Sequence, residues 1–343
     1  MDSSPLILMV SGGSDSTALL ELVARAAAGS PPAGPLEQRL RGMLARALPS
    51  GATLLPRCLH VNHPLRGQDS EQDQAFVEQR CRLLQVPFEL SRVDVAARVS
   101  SGAAGMEAAA RELRYEAAEQ ALERHCARCG VAPEDGLILT AHTLDDRVET
   151  FLMRAMVGTG PGGLGSIPRR RGRIARPLLD ATRQELRDLL CELHPGEAPG
   201  RLWREDATNQ DGSNFRSRVR TQLVPVMEGL KPGFQHSLAR TMDLIAQEDE
   251  ALSSAAAAVA YRNLVMEGDA ARLPVSALRS LDEPMMRRVL RQCLLAVCPQ
   301  ARLESRQIQR VVDAVALGAP FATELDSALR VVGCDGELCI SKR

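Results

Sequence analysis

The chain has 343 residues, 45% of them hydrophobic, with 42 Lys and Arg against 43 Asp and Glu. It is long enough for two domains with a sizeable core, and its charge balance excludes a uniformly basic nucleic-acid-binding surface. No uninterrupted apolar stretch approaches a membrane span, Met1-Asp2-Ser3-Ser4-Pro5 lacks the basic start of a secretory signal, and nine cysteines are scattered without a framework; a cytoplasmic protein with free thiols is expected.

Residues 6–10 form an apolar run that predicts a first strand, and residues 16–28 predict a first helix. Between them stands the turn Ser11-Gly12-Gly13-Ser14-Asp15-Ser16. A strand, a glycine turn and a helix N-terminus together offer free backbone N–H groups to an anion such as phosphate. The hydroxyls of Ser11, Ser14 and Ser16 add donors, Gly12 and Gly13 permit close backbone approach, and Asp15 is placed to hold a metal ion against phosphates. A plain serine-rich helix cap uses the same residues. No GxGxxG fingerprint is present, and because the only lysines are Lys231 and Lys342, a GxxxxGK(S/T) loop is excluded.

Further along, helices are predicted at residues 36–47, 71–84 and 106–125, and strands at 54–61, 86–93 and 136–140. This alternation predicts an α/β fold, a doubly wound, mostly parallel sheet with helices on both faces. Ligands of such sheets lie beyond the carboxyl ends of the strands. Residues 11–16, 60–63 and 142–146 all fall at predicted strand ends, and their convergence is the expected site. His60 and His63 read equally as ordinary hydrogen-bonded histidines.

A helix from about residue 144 is interrupted by Gly158, Gly160, Gly162, Gly163 and Gly165, the pattern of a mobile cover or a plain surface connection. Arg169, Arg170, Arg171, Arg173 and Arg176 follow with no acidic residue between them; they predict a flexible loop able to reach phosphates, or a solvated one. Helices are predicted at 182–193 and 215–224, the latter terminated by Pro225, then a long alanine-rich helix at 234–265 and helices at 277–297 and 304–317. Asp335-Gly336 between apolar runs predicts a closing hairpin. The expected organisation is a catalytic domain over 1–225, a long helix or linker over 226–265, and a small, mainly helical C-terminal domain over 266–343 ending in that hairpin. From Lys231 onward basic and acidic residues are equal in number, so any RNA contact there is local or shape-based.

The ordered motifs carry a closer resemblance. The opening hexad resembles the pyrophosphate-binding loop of ATP enzymes that form adenylated intermediates. Leu59-His60-Val61-Asn62-His63-Pro64-Leu65-Arg66-Gly67 with Asp69, Ser70 and Asp73 resembles the second block of the tRNA(Ile)-lysidine synthase family. Glu107-Ala108-Ala109-Ala110-Arg111-Glu112-Leu113-Arg114-Tyr115 resembles its EAxARxxRY helix, and Ala141-His142-Thr143-Leu144-Asp145-Asp146-Arg147-Val148-Glu149-Thr150 its AHHxDDQxET block. Arg154, the glycines over 158–165, Arg176-Pro177-Leu178-Leu179, Glu205-Asp206-Ala207-Thr208-Asn209 and Arg216-Ser217-Arg218-Val219-Arg220 extend the match over residues 6–225.

The resemblance implies ATP-dependent joining of free lysine to carbon 2 of the wobble cytidine in a CAU-anticodon isoleucine tRNA, through an adenylated base. It implies ATP as cosubstrate, with Mg²⁺ held by Asp15 and Asp146. Asp15, His142 and Asp146 are the expected catalytic residues; Ser11, Gly12, Gly13, Ser14, Asp15, Ser16, His60 and Arg66 the ATP-binding ones. Asp145 and Glu149, one turn apart, are expected to bind lysine's cationic groups, though a solvated face has the same spacing. His63, Arg111, Arg114, Arg169, Arg170, Arg171, Arg173, Arg216 and Arg220 are expected at tRNA or phosphate, and Glu107 with Arg111 and Arg114 in an ion-pair network.

Three departures stand out: Thr143 where the family pattern has a second histidine, Arg147 where it has glutamine, and Ser217 where asparagine follows the first arginine. The resemblance is to the shorter members with one C-terminal domain, and a homodimer is open. Two other readings remain at this point. One is tRNA thiolation, for which Cys126, Cys129, Cys191 and His194 have zinc-like spacing; the other is a nonenzymatic ATP-binding module.

Overall fold

A computed structural model of the chain describes residues 3–62, 68–100, 105–205, 214–301, 303–325 and 329–342. Strand β1, Ser3–Met9, shows why the sheet is covered on both sides. Its successive side chains alternate in direction, so Leu6 and Leu8 join one core cluster while Ile7 joins another. The first cluster is closed by α1 (Ser14–Ala27), α2 (Pro35–Ala47) and, later in the chain, residues of α3 (Gln68–Leu83). Strands β2 (Thr53–Asn62) and β3 (Phe88–Arg92) pair in parallel beside β1.

A short helix α4 (Val95–Ser100) precedes α5 (Met106–Cys129), whose Ala117, Ala118, Ala121, Leu122 and Cys126 pack under Ile7 and Leu59 on the opposite face. Strand β4 (Leu137–Leu139) then pairs parallel to β1. Gly136 before it is required by space, since a Cβ there would lie 2.6 Å from the Cys126 sulfur.

After α6 (Leu144–Val157) and α7 (Pro161–Leu164) the chain adds β5 (Arg170–Arg171) and β6 (Ile174–Ala175). Sheet order is β3-β2-β1-β4-β6-β5, parallel except for β5, with β1 at the point where connections reverse direction. The arginine run is therefore a hairpin on the sheet edge rather than the flexible loop expected. Backbone pairing of Ile174 with Ile138, and Gly172 at φ +58°, hold it there.

Helices α8 (Arg183–Leu193) and α9 (Pro199–Leu202) lead to α10 (Phe215–Arg218). The helix expected to stop at Pro225 does not. A π turn over Val219–Leu223 carries it into α11, Val224–Leu230, and the Val224 N–H bonds to the Val219 carbonyl. The wider turn accommodates the proline's missing donor. Helix α12 follows at Phe234–Asn263.

The chain divides into two compact units at Asp243 and Leu244, inside the segment read as a helical linker. The second unit holds β7 (Val265–Glu267), β8 (Ala270–Pro274), α13 (Val275–Arg279), α14 (Glu283–Val297), α15 (Ser305–Leu317), β9 (Phe321–Leu325), β10 (Leu329–Cys334) and β11 (Glu337–Lys342). The expected hairpin forms between β10 and β11, and β7, β8 and β9 enlarge it into a five-stranded antiparallel sheet. Val289, Leu290, Val311, Val331 and Ile340 join its core. No helix among the described residues is long and apolar enough to cross a membrane.

Candidate active site

The glycine turn leaves β1 with Gly12 at φ +97°, and a side chain there would meet Val77 and Phe76. Gly13 caps α1 without a side-chain hydrogen bond. The Ser16 hydroxyl accepts from the N–H groups of Ser11 and Gly12, both at 3.2 Å, and donates to the Gly13 carbonyl at 3.1 Å. These bonds shape the turn as a small basket of amides at a helix N-terminus, the arrangement that suits an anion. His60 is buried beneath it, its Nδ1–H donating to the Val10 carbonyl at 2.8 Å, so it braces the base of the turn. The Gly12 carbonyl accepts from the Arg204 N–H at 2.9 Å, while the Arg204 side chain pairs with Asp73 at 3.0 Å. His63 and Arg66 lie outside the described residues.

Across the sheet, the end of β4 delivers the second set. Thr143 is fully buried and caps α6: its N–H donates to Asp146 Oδ2 at 2.9 Å, and its hydroxyl accepts from the Asp146 N–H at 3.4 Å. That reciprocal box explains the threonine where the family pattern has histidine. It also aims Asp146 Oδ1 at Arg216 Nη2, 2.9 Å away. Burial pushes the Asp146 carboxyl upward, but the Arg216 and Arg183 guanidiniums and the Thr143 N–H hold it below the ordinary carboxylate range. Asp15 moves the other way. Burial raises it, Arg183 opposes, and the neighbouring Asp146 charge adds to the rise.

His142 sits with Nδ1 2.9 Å from the Thr140 hydroxyl. Burial, reinforced by Arg176, Arg111 and Arg216 and opposed by Asp146, pushes its imidazole down to about 4. The ring is neutral at physiological pH, which suits a hydrogen-bonding or proton-accepting role rather than a fixed cation. An ordinary histidine takes its proton near pH 6.5. Stability contributed by the neutral ring is therefore present above that pH and is lost as pH falls from 6.5 toward 4. NMR titration, with the resonance assigned by His142→Gln, should show a midpoint far below 6.5; a midpoint at 6 or above would refute this environment.

Glu149 and Asp145 do not form the single acidic face expected. Glu149 is only 2% exposed and is enclosed by Arg216 Nε at 2.7 Å and Arg220 Nε at 2.6 Å. Asp145 turns to the N-terminus of α8, where Oδ2 accepts the Arg183 N–H at 2.7 Å. The α6 helix starts in a crevice between α8 and α10, so residues one turn apart meet different partners. Asp145 instead borders a cleft of about 220 Å³ with Thr182, Gln184, Glu228, Gly233, Gln235 and His236.

Arg183 is the residue the sequence reading missed. Its Nε lies 3.2 Å from Asp15 Oδ2, its Nη2 3.5 Å from Asp146 Oδ1 and its Nη1 3.9 Å from Glu149 Oε1. Burial disfavours its charge, yet Asp15, Asp146, Asp145 and Glu149 together raise its pKa. The signal available was Thr182-Arg183-Gln184-Glu185, a capping box separated by two residues from Arg176-Pro177-Leu178-Leu179. Two-residue β6 was too short to be read as a strand, so its carboxyl end was not counted among those meeting at the site.

The other predicted arginines separate. Arg216 and Arg220 face the α6 carboxylates. Arg169 forms a two-bond pair with Asp180 and also reaches Asp243, alongside buried Arg147, which pairs with the same two carboxylates. Arg147 in place of glutamine thus supplies the inner cation of a four-residue network. Arg173 pairs with Glu119 at 2.5 Å, and Arg170 and Arg171 are exposed on the hairpin. Arg111 lies over the Tyr115 ring, and Arg114 bonds the Ala110 carbonyl in its own helix. The Ser217 N–H donates to Asn214 Oδ1, the N-cap of α10, at 2.7 Å, and nothing in the structure explains serine there in place of asparagine.

The zinc-like spacing is not assembled. Cys126 is buried in the core beneath the sheet, His194 engages Glu21 and Arg80, and no metal-holding group of three or more His, Cys, Asp or Glu occurs among the described residues.

The glycine turn and two carboxylates beyond the carboxyl ends of parallel strands, met by arginines of α8 and α10, form a polar site of the kind that suits an anion. A family model described as a PP-loop domain matches residues 1–227, and the chain belongs to that family. Among curated relatives, the chain is 35% identical over 306 residues to the tRNA(Ile)-lysidine synthase of Thermus thermophilus, covering 87% of this chain and 50% of that protein. It is 33% identical over 293 residues to the tRNA(Ile)-lysidine synthase of Geobacter sulfurreducens, covering 84% and 54%, and 33% identical over 274 residues to that of Deinococcus deserti, covering 80% and 42%. The chain spans about half the length of these relatives.

Proposed function

We propose that the chain catalyses ATP-dependent lysidine formation on the wobble cytidine of a CAU-anticodon isoleucine tRNA. The observation that carries this is the meeting of the residues 11–16 turn, Asp146 and the Arg183–Arg216 pair at one sheet edge, in a chain whose similarity to tRNA(Ile)-lysidine synthases extends past the ATP domain.

In the first step the cytidine O2 attacks the α phosphorus of ATP, an O–P bond forms, and pyrophosphate leaves. The amide of Gly13 and the N-terminus of α1 would hold the departing phosphates, and Arg216 and Arg183 would offset their charge. In the second step lysine's amine attacks carbon 2, the C–O bond breaks, and AMP leaves with the base oxygen. Neutral His142 is the group suited to accept the amine's proton, and Asp145, bordering the cleft with Glu228, is the carboxylate open to a cationic substrate. Glu149 serves instead as the buried anchor that orients Arg216 and Arg220.

Asp15 and Asp146 fit Mg²⁺: both offer hard oxygen donors, and the mutual charge effect that raises Asp15 marks them as neighbours. When bound there the ion would neutralise phosphate charge. The exposed Arg170 and Arg171 and the second unit are assigned to tRNA contact, with local rather than wholesale basic attraction.

The test is incubation of purified protein with ATP, free lysine and unmodified CAU-anticodon isoleucine tRNA, with mass spectrometry of the nucleosides. Lysidine is expected, with stoichiometric AMP and pyrophosphate. Protein that is folded and binds ATP but yields no lysine-modified cytidine would overturn the assignment.

A further inference from the structure

Asp15 and Asp146 arrive from different strand ends and face each other as like charges. Such a pair needs a cation nearby. Arg216 supplies charge to Asp146, but its second partner is Glu149, on the same helix. Among the described residues Arg183 alone spans the pair, with Nε 3.2 Å from Asp15 and Nη2 3.5 Å from Asp146.

Its backbone is fixed independently of its head group. The Arg183 N–H donates to Asp145 at 2.7 Å, and the Thr182–Glu185 capping box pins the first turn of α8. Its side chain is 22% exposed. The guanidinium is therefore anchored by a flexible stem to a rigid helix start, and it can leave the carboxylates without disturbing the fold. The contacts of 3.2 and 3.5 Å with Asp15 and Asp146 are longer than the 2.6 and 2.7 Å pairs that Arg220 and Arg216 make with Glu149. The two arginines thus have different partners: Arg216 is tied at short range to two carboxylates of α6, whereas Arg183 spans carboxylates of α1 and α6 at longer contacts.

We propose that Arg183 is a resident counter-cation of the Asp15–Asp146 pair that competes with a divalent cation for it, and that the polyphosphate of the nucleotide relieves this competition by drawing the guanidinium away. The proposal deepens the phosphate-site reading above and rests on it. A guanidinium and a divalent ion repel each other and cannot both neutralise one carboxylate pair at short range. A polyphosphate supplies new negative charge for Arg183, so nucleotide and metal bind cooperatively, each favouring the other by the same factor. The device prevents the nucleotide-free site from filling with metal and couples ion capture to substrate arrival.

The test measures Mn²⁺ binding by electron paramagnetic resonance on the full chain without nucleotide. Wild-type protein should bind weakly. Arg183→Gln should bind Mn²⁺ at least about tenfold more tightly, because one competing positive charge beside both ligands is gone. Adding Asp15→Asn to Arg183→Gln should abolish the gain, and Arg183→Lys, which keeps the charge, should stay near wild type. Thermal melting checks folding; if the glutamine variant does not fold, Arg183→Met is judged by the same criterion. Unchanged Mn²⁺ affinity in the folded neutral variant, or a gain that survives Asp15→Asn, would overturn the proposal. Binding of a nonhydrolysable ATP analogue separates the two ideas. Wild-type protein that binds no analogue overturns the phosphate-site reading and with it the displacing ligand. Normal analogue binding beside an unchanged Mn²⁺ affinity overturns the role of Arg183 alone.

Discussion

Asp146→Asn is expected to lower the rate of tRNA-dependent pyrophosphate release by about 10²–10³-fold, the cost seen when one preorganised electrostatic group is removed from a reacting centre. Asparagine retains an oxygen that can accept the Thr143 N–H, so the cap of α6 survives and the loss reports charge rather than misfolding. Arg216 would keep Glu149 as a partner, while Arg183 would keep Asp15. The measurement is pyrophosphate release at saturating ATP and tRNA, with thermal melting as control. Activity within about threefold of wild type would remove Asp146 from the machinery, because an interaction worth so little does not stabilise a transition state.

Glu149→Gln is expected to be the more destabilising change. The carboxylate is nearly sealed from water and faces Arg216 and Arg220 at 2.7 and 2.6 Å. Removing its charge leaves two guanidiniums competing for one neutral amide. Breaking a buried pair costs about 3–5 kcal/mol, but both arginines retain access to solvent, which reduces the cost to about 2–3 kcal/mol. For a unit the size of residues 1–243 this corresponds to a fall of roughly 4–12 °C in melting temperature. Activity should fall as well, since Arg216 loses the partner that orients it. A variant that melts with wild type would show that solvent already compensates these arginines. Normal stability with a raised KM for lysine would instead return Glu149 to the substrate-binding role first expected of it.

Much of this architecture was legible in the residues. The alternation of apolar runs with amphipathic segments located β1 to β4 and their helices, because a buried parallel strand and a packed helix must each bury their apolar side chains in their own periodicity. The turn at residues 11–16 and the placement of His142 and Asp146 at the end of β4 followed from the same pattern. Strands β5 and β6 escaped because two-residue strands carry no periodicity, and an arginine run looks like solvated loop until its backbone pairs with a neighbour. Strands β7 to β9 escaped for a related reason: their short alternation is completed only by partners distant in sequence.

The site divides in the same way. Composition, spacing and motif order determined that a glycine turn between a strand and a helix, a neighbouring carboxylate and a basic helix would be present, since each is a local arrangement within a few residues. Which charges neutralise one another was decided only by tertiary structure. Glu149 is enclosed by Arg216 and Arg220 from α10 and the following π turn, Asp145 is drawn to α8, and Arg183 reaches between Asp15 and Asp146 from the first turn of α8. Ion pairing depends on distance in space, and a linear sequence records only distance along the chain.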